Sequence, residues 1–250
     1  MFQLKLADTP NRKVIDKKGN ITIFEYDHDM SVEPGNAMYT YYASKMNVRR
    51  RQVLFELNGS NSVIIQAGAM QWMAGAVEVA TNVKGVGDFA KKLISSKVTN
   101  ESAVKPCYKG NGLLMLEPTY KHLLIEDVAA WNGMVIDDGL FLACDANVDV
   151  KTVARTNLSS AIAGGEGLFN SCLVGNGYAV LESKVPREEL IEVELNNDVL
   201  KVDGSFAIAW SNSLEFTVER TTKTLIGSAA SGEGLVNVYR GTGKVLMAPL

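Results

Sequence analysis

Histidine and cysteine are the residue types that most often carry chemistry, and the chain has few of them. Its two histidines are His28 and His122, and its three cysteines are Cys107, Cys144 and Cys172. A catalytic base or metal site built on histidine needs partners close in space. The cysteines are odd in number and lack a CxxC spacing, so they indicate neither a disulfide framework nor a zinc site. We expect them to be reduced residues of the core.

The segment YDHDM is the best local candidate for a metal site, because it holds Asp27, His28 and Asp29. Alternation along a strand would place the two carboxylates on one face and the imidazole on the other. One strand therefore cannot present all three side chains to one ion. We expect a polar loop or strand tip here, and no metal site.

Glu166 and Glu233 could be interpreted as paired carboxylates for acid–base catalysis, as in glycosidases. Both occupy the same position of a sequence repeat, however, as does Glu101, and pseudo-symmetry would keep equivalent carboxylates far apart. We expect them to form hydrogen bonds between repeats. The chain also lacks the GxxxxGK[ST] phosphate loop and the GxSxG nucleophile elbow. The sequence therefore predicts no enzyme, with no catalytic, cofactor-binding or metal-binding residues.

The repeat organises the whole chain. Three stretches share a glycine pair followed by an alternating apolar strand: GNGLLMLEP from Gly110, GNGYAVLES from Gly175 and GTGKVLMAP from Gly241. GSNSVIIQ from Gly59 is a weaker fourth match. Each copy is typical of a strand, a glycine turn and a second strand, which is an antiparallel hairpin. Glycine supplies the positive φ that other residues resist at such turns.

Many further stretches alternate or run apolar over strand lengths, which predicts an all-β fold. We expect a single domain over 1–250, made of three diverged β-sandwich or barrel repeats with pseudo-threefold symmetry and approximate bounds 1–100, 101–165 and 166–250. One stretch, 86–97, has a helical period, with lysines opposite an apolar face. We expect a short connecting helix there, packed on a sheet, and favour this over a membrane-surface helix.

Charge and composition limit the partners. With 25 basic and 28 acidic side chains the net charge is -3, which disfavours binding to a polyphosphate. The run 49–51 of three arginines could contact phosphate or lipid headgroups, but we expect a solvated strand edge. An aromatic platform for single-stranded RNA could be formed by a larger set of side chains: Tyr39, Tyr41, Tyr42, Trp72, Trp131 and Trp210. Given the acidic balance, we expect no nucleic-acid partner.

No export signal and no apolar run long enough to cross a bilayer is visible, so the expected location is the cytoplasm.

Three segments together resemble the altered inheritance of mitochondria 24 family: GGEGLFNSCLVGNGYAVLES, DGSFAIAWSNSLEFTVE and SGEGLVNVYRGTGKVLMAPL. This is a largely uncharacterised family of bacteria, with a mitochondrial branch in fungi, and the resemblance covers nearly the whole chain. It implies a fold like that of the trp RNA-binding attenuation protein, with pseudo-threefold β repeats and a tendency to oligomerise. The second copy departs from the family pattern, with NESAVKPCYKG where the family has an approximation of GESLF.

Together these features predict a non-enzymatic, oligomeric β scaffold or binding protein. We expect a homotrimer that binds another protein or a membrane component, because three β units leave strand edges and apolar faces that association can cover. Two alternatives stay open. One is an enzyme or small-ligand-binding protein with a site between repeats. The other is an RNA-binding ring, which rests on fold analogy alone.

Overall fold

The structure is a computed structural model that describes residues 2–80, 105–154, 169–220 and 235–249. Within these ranges the chain is mostly β, which confirms the predicted fold class, and the one α-helix, α1, spans Ala37–Lys45. The strands, in chain order, are β1 (Arg12–Lys18), β2 (Ile21–Tyr26), β3 (Arg51–Ile65), β4 (Met70–Ala80), β5 (Cys107–Leu116), β6 (His122–Asp127), β7 (Met134–Ile136), β8 (Phe141–Asp145), β9 (Val148–Ala154), β10 (Phe169–Gly175), β11 (Tyr178–Ser183), β12 (Ile191–Asp203), β13 (Ala207–Ser211), β14 (Glu215–Arg220) and β15 (Leu235–Met247).

In the described residues the strands form two antiparallel sheets. The first sheet follows the order β1–β2–β3–β8–β11–β6, and β5 joins β3 while β4 joins β5. The second sheet follows the order β12–β15–β13–β7–β10–β9, with β14 paired to β15. In the first sheet, therefore, β1 and β6 stand at the two ends of the main path of strands.

The first sheet is curled around its own apolar core. Ile23 of β2, Phe55 of β3, Leu114 of β5, Val180 of β11 and Ile125 of β6 are buried in one cluster. Strands from opposite ends of a flat sheet could not share a cluster of this kind, because neighbouring strands are about 4.8 Å apart. The curvature brings the β1 end of the sheet close to its β6 end.

A second apolar cluster joins the two sheets. Leu124 and Leu181 of the first sheet pack with Met134, Leu173 and Leu246 of the second. The predicted repeats are not separate units in this arrangement, because strands from all three predicted segments contribute to the first sheet. The boundaries of the repeats and their pseudo-threefold symmetry stay a prediction.

The repeated glycines do not lie in hairpin turns, so that prediction was wrong. Gly110 and Gly241 lie inside the continuous strands β5 and β15, and Gly175 ends β10 just before the chain enters β11 in the other sheet. Their φ angles are 120°, 119° and 137°. A Cβ at Gly110 would lie 2.1 Å from the carbonyl oxygen of Ala76, so the neighbouring backbone also requires glycine.

The predicted helix and the observed helix α1 fall in different parts of the chain. The predicted connecting helix at 86–97 lies outside the described residues. The observed helix α1 was not predicted, because it buries only Ser44 and has no apolar face against the sheets. After Pro186, one turn of 3-10 helix (Arg187–Glu189) leads into β12.

Candidate functional site

The two ends of the first sheet face each other across a gap between β1 and β6, which we call the seam. Among the described residues, β1 pairs only with β2 and β6 only with β11. At one end of the seam the Lys18 Nζ donates a hydrogen bond to the carbonyl oxygen of Ile125 at 2.9 Å. The turn between β1 and β2 also approaches the ring of Tyr178 at Gly19. The seam is therefore closed at this end.

Towards its other end the seam widens into two cavities. The smaller, about 150 Å³, is lined by Asp16 and Lys18 of β1, by residues 123–126 of β6 and by Arg187. The larger cavity, about 480 Å³, has walls from β1, β2, β6, the start of β3 with the segment before it, and the segment between β11 and β12. Its lining residues are Ile15, Asp16, Glu25, Asn47, Arg49, Arg51, His122, Leu123, Leu124, Pro186, Arg187 and Glu188. Both cavities have walls from β1 and β6, so the seam is an open groove along these two strands.

Arg51 lies at the open end of the seam and is only 1% exposed. Its guanidinium is 2.7 Å from the Glu25 carboxylate, which lies directly across from it on β2. The same group donates to the side-chain oxygen of Asn47 at 2.8 Å and to the carbonyl oxygen of Lys121 at 3.4 Å. These contacts compensate for the loss of water around a buried charge, which is otherwise costly.

The prediction of a solvated strand edge at 49–51 was therefore wrong. Arg49 is partly exposed and donates to Glu25 at 2.9 Å. Arg50 lies 3.2 Å from an Asp29 oxygen, and its guanidinium is 4.4 Å from the centre of the Tyr26 ring. Each of these two arginines thus has an acidic partner, and an arginine of this kind is poorly placed to recruit a phosphate group.

The YDHDM segment is a polar bend that follows β2, as expected, and it lies next to the arginines. Asp27 pairs with Lys13 at 2.7 Å, and this hydrogen bond lowers the pKa of the Asp27 carboxyl below its usual value. Tyr120 Oη donates to Asp29, which raises the pKa of the tyrosine. The backbone of His28 bonds to the Asn11 side chain. No group of three metal-binding side chains occurs in the described parts of the chain.

His122 begins β6 and is half-buried in the wall of the larger cavity. Burial lowers its pKa below the usual value, and the positive charge of Arg51 lowers it further. Asp16 and Glu188 line the same cavity. Neither carboxylate makes an ion pair within the ranges that the structure describes. They have no cationic partner there, whereas Arg51 pairs with Glu25 and Arg49 contacts both Glu25 and Asp27.

Arg187 covers the seam from the segment between β11 and β12. It lies 3.0 Å from Glu126 of β6 and 2.9 Å from Glu192 of β12, so it connects the two sheets. The other oxygen of Glu126 accepts a hydrogen bond from the indole nitrogen of buried Trp131 at 3.2 Å. Glu126 is thus held between an arginine and a tryptophan.

A second surface is the exposed face of α1. Met38, Tyr39 and Met46 are 74%, 79% and 78% exposed, and Tyr42 is 62% exposed. With Val48 they line a shallow, open cavity of about 610 Å³. Large apolar side chains are rarely this exposed together on a protein that works alone, so the face is a candidate interface.

The tyrosines and tryptophans do not assemble into one platform. Trp131 and Trp210 are buried in different apolar clusters, far from solvent. Trp72 is half-buried against β2, β3 and β5. Of the six aromatic residues considered, the three tyrosines of α1 are the exposed ones. The structure therefore does not bring together the aromatic set that single-stranded RNA would require.

The remaining candidate residues are the three cysteines and the three repeated glutamates. Cys144 and Cys172 are buried and free, Cys107 is half-buried and free, and burial raises the pKa of each thiol. Cys144 and Cys172 therefore lie in the core as expected, whereas Cys107 belongs to none of the apolar clusters of the described residues. The repeated glutamates, Glu101, Glu166 and Glu233, lie outside the described residues. Among those described, no helix has the length and apolar character to cross a bilayer.

The seam and the buried Arg51–Glu25 pair were missed from the sequence. A signal existed, because Glu25 follows Ile21 and Ile23 at alternate positions of the strand ITIFEY and so shares their apolar face. A carboxylate in such a strand indicates a buried cation across from it. The seam itself has no local signal, since it arises only when the first sheet curls.

The fold defines an all-β protein of two antiparallel sheets, the first curled around a core and open along one side. The sequence profile of the family described as Mitochondrial biogenesis AIM24 matches residues 44–250, so the chain belongs to that family. This confirms the resemblance found in the sequence.

Two relatives from one species support the same conclusion. An uncharacterized protein of Streptococcus pyogenes serotype M6 is 27% identical over 205 residues, which are 79% of this chain and 81% of that protein. The crystal structure of a Streptococcus pyogenes protein superposes with a TM-score of 0.57 at 25% identity. It covers 81% of this chain and 88% of its own.

Proposed function

We propose that the chain is a non-enzymatic β scaffold that assembles into a homotrimer and binds another macromolecule. The observation that carries this proposal is the exposed face of α1, formed by Met38, Tyr39, Tyr42, Met46 and Val48. Methionine and tyrosine are enriched where protein surfaces meet, whereas lysine and glutamate are depleted there. We assign a second copy of the chain as the occupant of this face.

The free strand edges give further support to association. Among the described residues β4 and β14 each have one paired neighbour, and long unpaired edges are usually protected in soluble proteins. An oligomer covers such edges and buries apolar surface at the same time. A closed ring of subunits also explains why a small set of large side chains can remain exposed on a single chain.

The charged groups of the seam favour binding over catalysis. Glu25 and Glu126 are each held by arginine, so both carboxylates serve in ion pairs of the fold. Burial raises the pKa of the Cys144 and Cys172 thiols, which disfavours the nucleophilic thiolate. The larger cavity of the seam is the specific observation that favours a second candidate function, the binding of a smaller ligand.

Light scattering coupled to size-exclusion chromatography tests the oligomer. We expect the unmodified chain to elute as a trimer at micromolar concentration. The double variant Met38→Glu and Tyr42→Glu places two charges on the exposed face of α1, so we expect it to elute at a lower mass. Val199→Glu, at an exposed apolar residue of β12, is the matched control and keeps the trimer. A monomeric unmodified chain would count against the proposal.

A further inference from the structure

We propose that the seam binds an extended peptide segment that carries a lysine or arginine side chain and adds as a strand between β1 and β6. The partner is another polypeptide, recognised through its backbone and one basic side chain. This inference goes beyond the scaffold function and does not depend on the oligomeric state of the chain.

The strands that border the seam have unpaired backbone groups to which a further strand could bind. Among the described residues, β1 is paired on one side by β2, and β6 on one side by β11. The unpaired sides of both strands border the same cavities. Unpaired backbone N–H and C=O groups along a strand are a template for a further strand, and peptide binding by strand addition uses them. A peptide here meets two templates, one on each side.

The seam has room for a short strand. Strand spacing, rise per residue and the separation of packed sheets give an extended residue a volume of roughly 160 Å³. The larger cavity, about 480 Å³, therefore has space for about three residues. The hydrogen bond from Lys18 to Ile125 closes the far end, so a peptide enters from the end near His122.

The charges in the seam select a basic peptide. The arginines that line the larger cavity already have acidic partners: Arg51 pairs with Glu25, Arg49 with Glu25 and Asp27, and Arg187 with Glu126. Asp16 and Glu188 line that cavity too, and neither makes an ion pair in the part of the chain that the structure describes. Burial and Arg51 lower the pKa of His122, so this imidazole is neutral near pH 7 and adds no compensating charge.

The charges also argue against an anionic ligand. In the larger cavity a phosphate, a lipid headgroup or an acidic peptide would meet only arginines that already have acidic partners, and it would place a negative charge beside Asp16 and Glu188. Like charges brought together in a partly buried site repel each other strongly. A basic side chain, in contrast, would form with these two carboxylates the ion pairs that the free chain lacks.

Fluorescence anisotropy with three labelled octapeptides tests the inference. The probe alternates valine and threonine, with lysine at its centre. The second peptide has glutamate in place of lysine, and the third has proline at alternate positions, which removes backbone donors. We expect the lysine peptide to bind the full chain, and the glutamate peptide to bind at least about tenfold more weakly. The proline peptide should not bind.

Variants of the chain locate the site. Asp16→Lys should weaken binding of the lysine peptide by about tenfold or more. Glu78→Lys makes the same charge change on β4, an edge strand away from the seam, and should leave binding unchanged. If Asp16→Lys does not fold, Glu188→Lys replaces it, since this residue is exposed in a turn of 3-10 helix. Circular dichroism checks the fold of each variant.

Amide hydrogen exchange gives a second readout of location. A saturating concentration of the lysine peptide should slow exchange in β1 and β6, while β4 is unaffected. The inference is overturned if the lysine peptide fails to bind at millimolar concentration, or if the proline peptide binds equally well. It is also overturned if the charge variant that folds, Asp16→Lys or its replacement Glu188→Lys, binds the lysine peptide like the unmodified chain, or if protection appears on β4 instead.

Discussion

Replacing Arg51 by methionine tests how the open end of the seam is held together. The guanidinium is buried and lies 2.7 Å from the Glu25 carboxylate. Methionine keeps much of the volume but removes the charge and every hydrogen bond of the side chain. Removing one member of a buried ion pair typically costs about 3–5 kcal/mol, because the other charge is left without compensation. Arg49 still contacts Glu25, so we expect the lower end, about 3 kcal/mol.

Thermal unfolding followed by circular dichroism measures this loss. For a chain of this length, 1 kcal/mol corresponds to roughly 2–4 °C in Tm, so Arg51→Met should lower the Tm by roughly 6–12 °C. All variants must be compared at one protein concentration, because association makes the Tm concentration-dependent. The double variant Arg51→Met with Glu25→Gln should lose less than the sum of the two single changes, since the two groups interact directly.

Lys17→Met is the matched control, because it breaks an exposed ion pair on a neighbouring strand. Lys17 and Glu56 are 3.7 Å apart, and their side chains are 58% and 56% exposed. Pairs of this kind contribute about 0–1 kcal/mol. If Arg51→Met lowers the Tm no more than Lys17→Met does, the guanidinium is not a buried, compensated charge, and the proposed structure of the seam is refuted.

Three further predictions concern a glycine, a histidine and a cysteine. In a denaturant titration, Gly110→Ala should destabilise the chain by more than about 2 kcal/mol, because the new Cβ would lie 2.1 Å from the Ala76 carbonyl oxygen at a φ of 120°. The control Gly35→Ala has open space around it and should leave the free energy of unfolding unchanged. The pKa of His122 is lowered in the folded chain, so the stability that the neutral imidazole contributes is complete above the usual pKa of 6.5 and is lost as the pH falls through the pKa of the folded chain. His122→Asn should therefore flatten the fall of Tm between neutral and mildly acidic pH. An unchanged slope of Tm against pH would contradict this. Cys144 should resist alkylation in the native chain and react in guanidinium, as read by mass spectrometry, because burial raises its pKa; rapid native labelling would show that the strand opens.

The strands could be predicted from the sequence because their patterns are local. Stretches such as VLFEL, LFLAC and FAIAW keep their apolar residues in short runs, and these became β3, β8 and β13. The need for glycine at 110, 175 and 241 was also predicted correctly. The reason was only partly predicted, because a bend in a strand and a hairpin turn both use positive φ, and sequence spacing does not separate them.

The site could not be predicted in the same way. Arg49, Arg50 and Arg51 are identical in type and adjacent, yet only Arg51 is buried, because the register with β2 places it opposite Glu25. This register depends on which strands pair, and pairing is a long-range property. The seam depends further on the curvature of the whole first sheet. The face of α1 was missed because an exposed helix with large apolar side chains has no buried face to give a pattern.

Native mass spectrometry of the full chain at micromolar concentration tests the proposed scaffold most directly. We expect a dominant species with three times the chain mass of 27.1 kDa. The double variant on α1, Met38→Glu and Tyr42→Glu, should shift this species towards the single chain. An unmodified protein that is found only as a monomer of 27.1 kDa would contradict the assembly on which the proposed function rests.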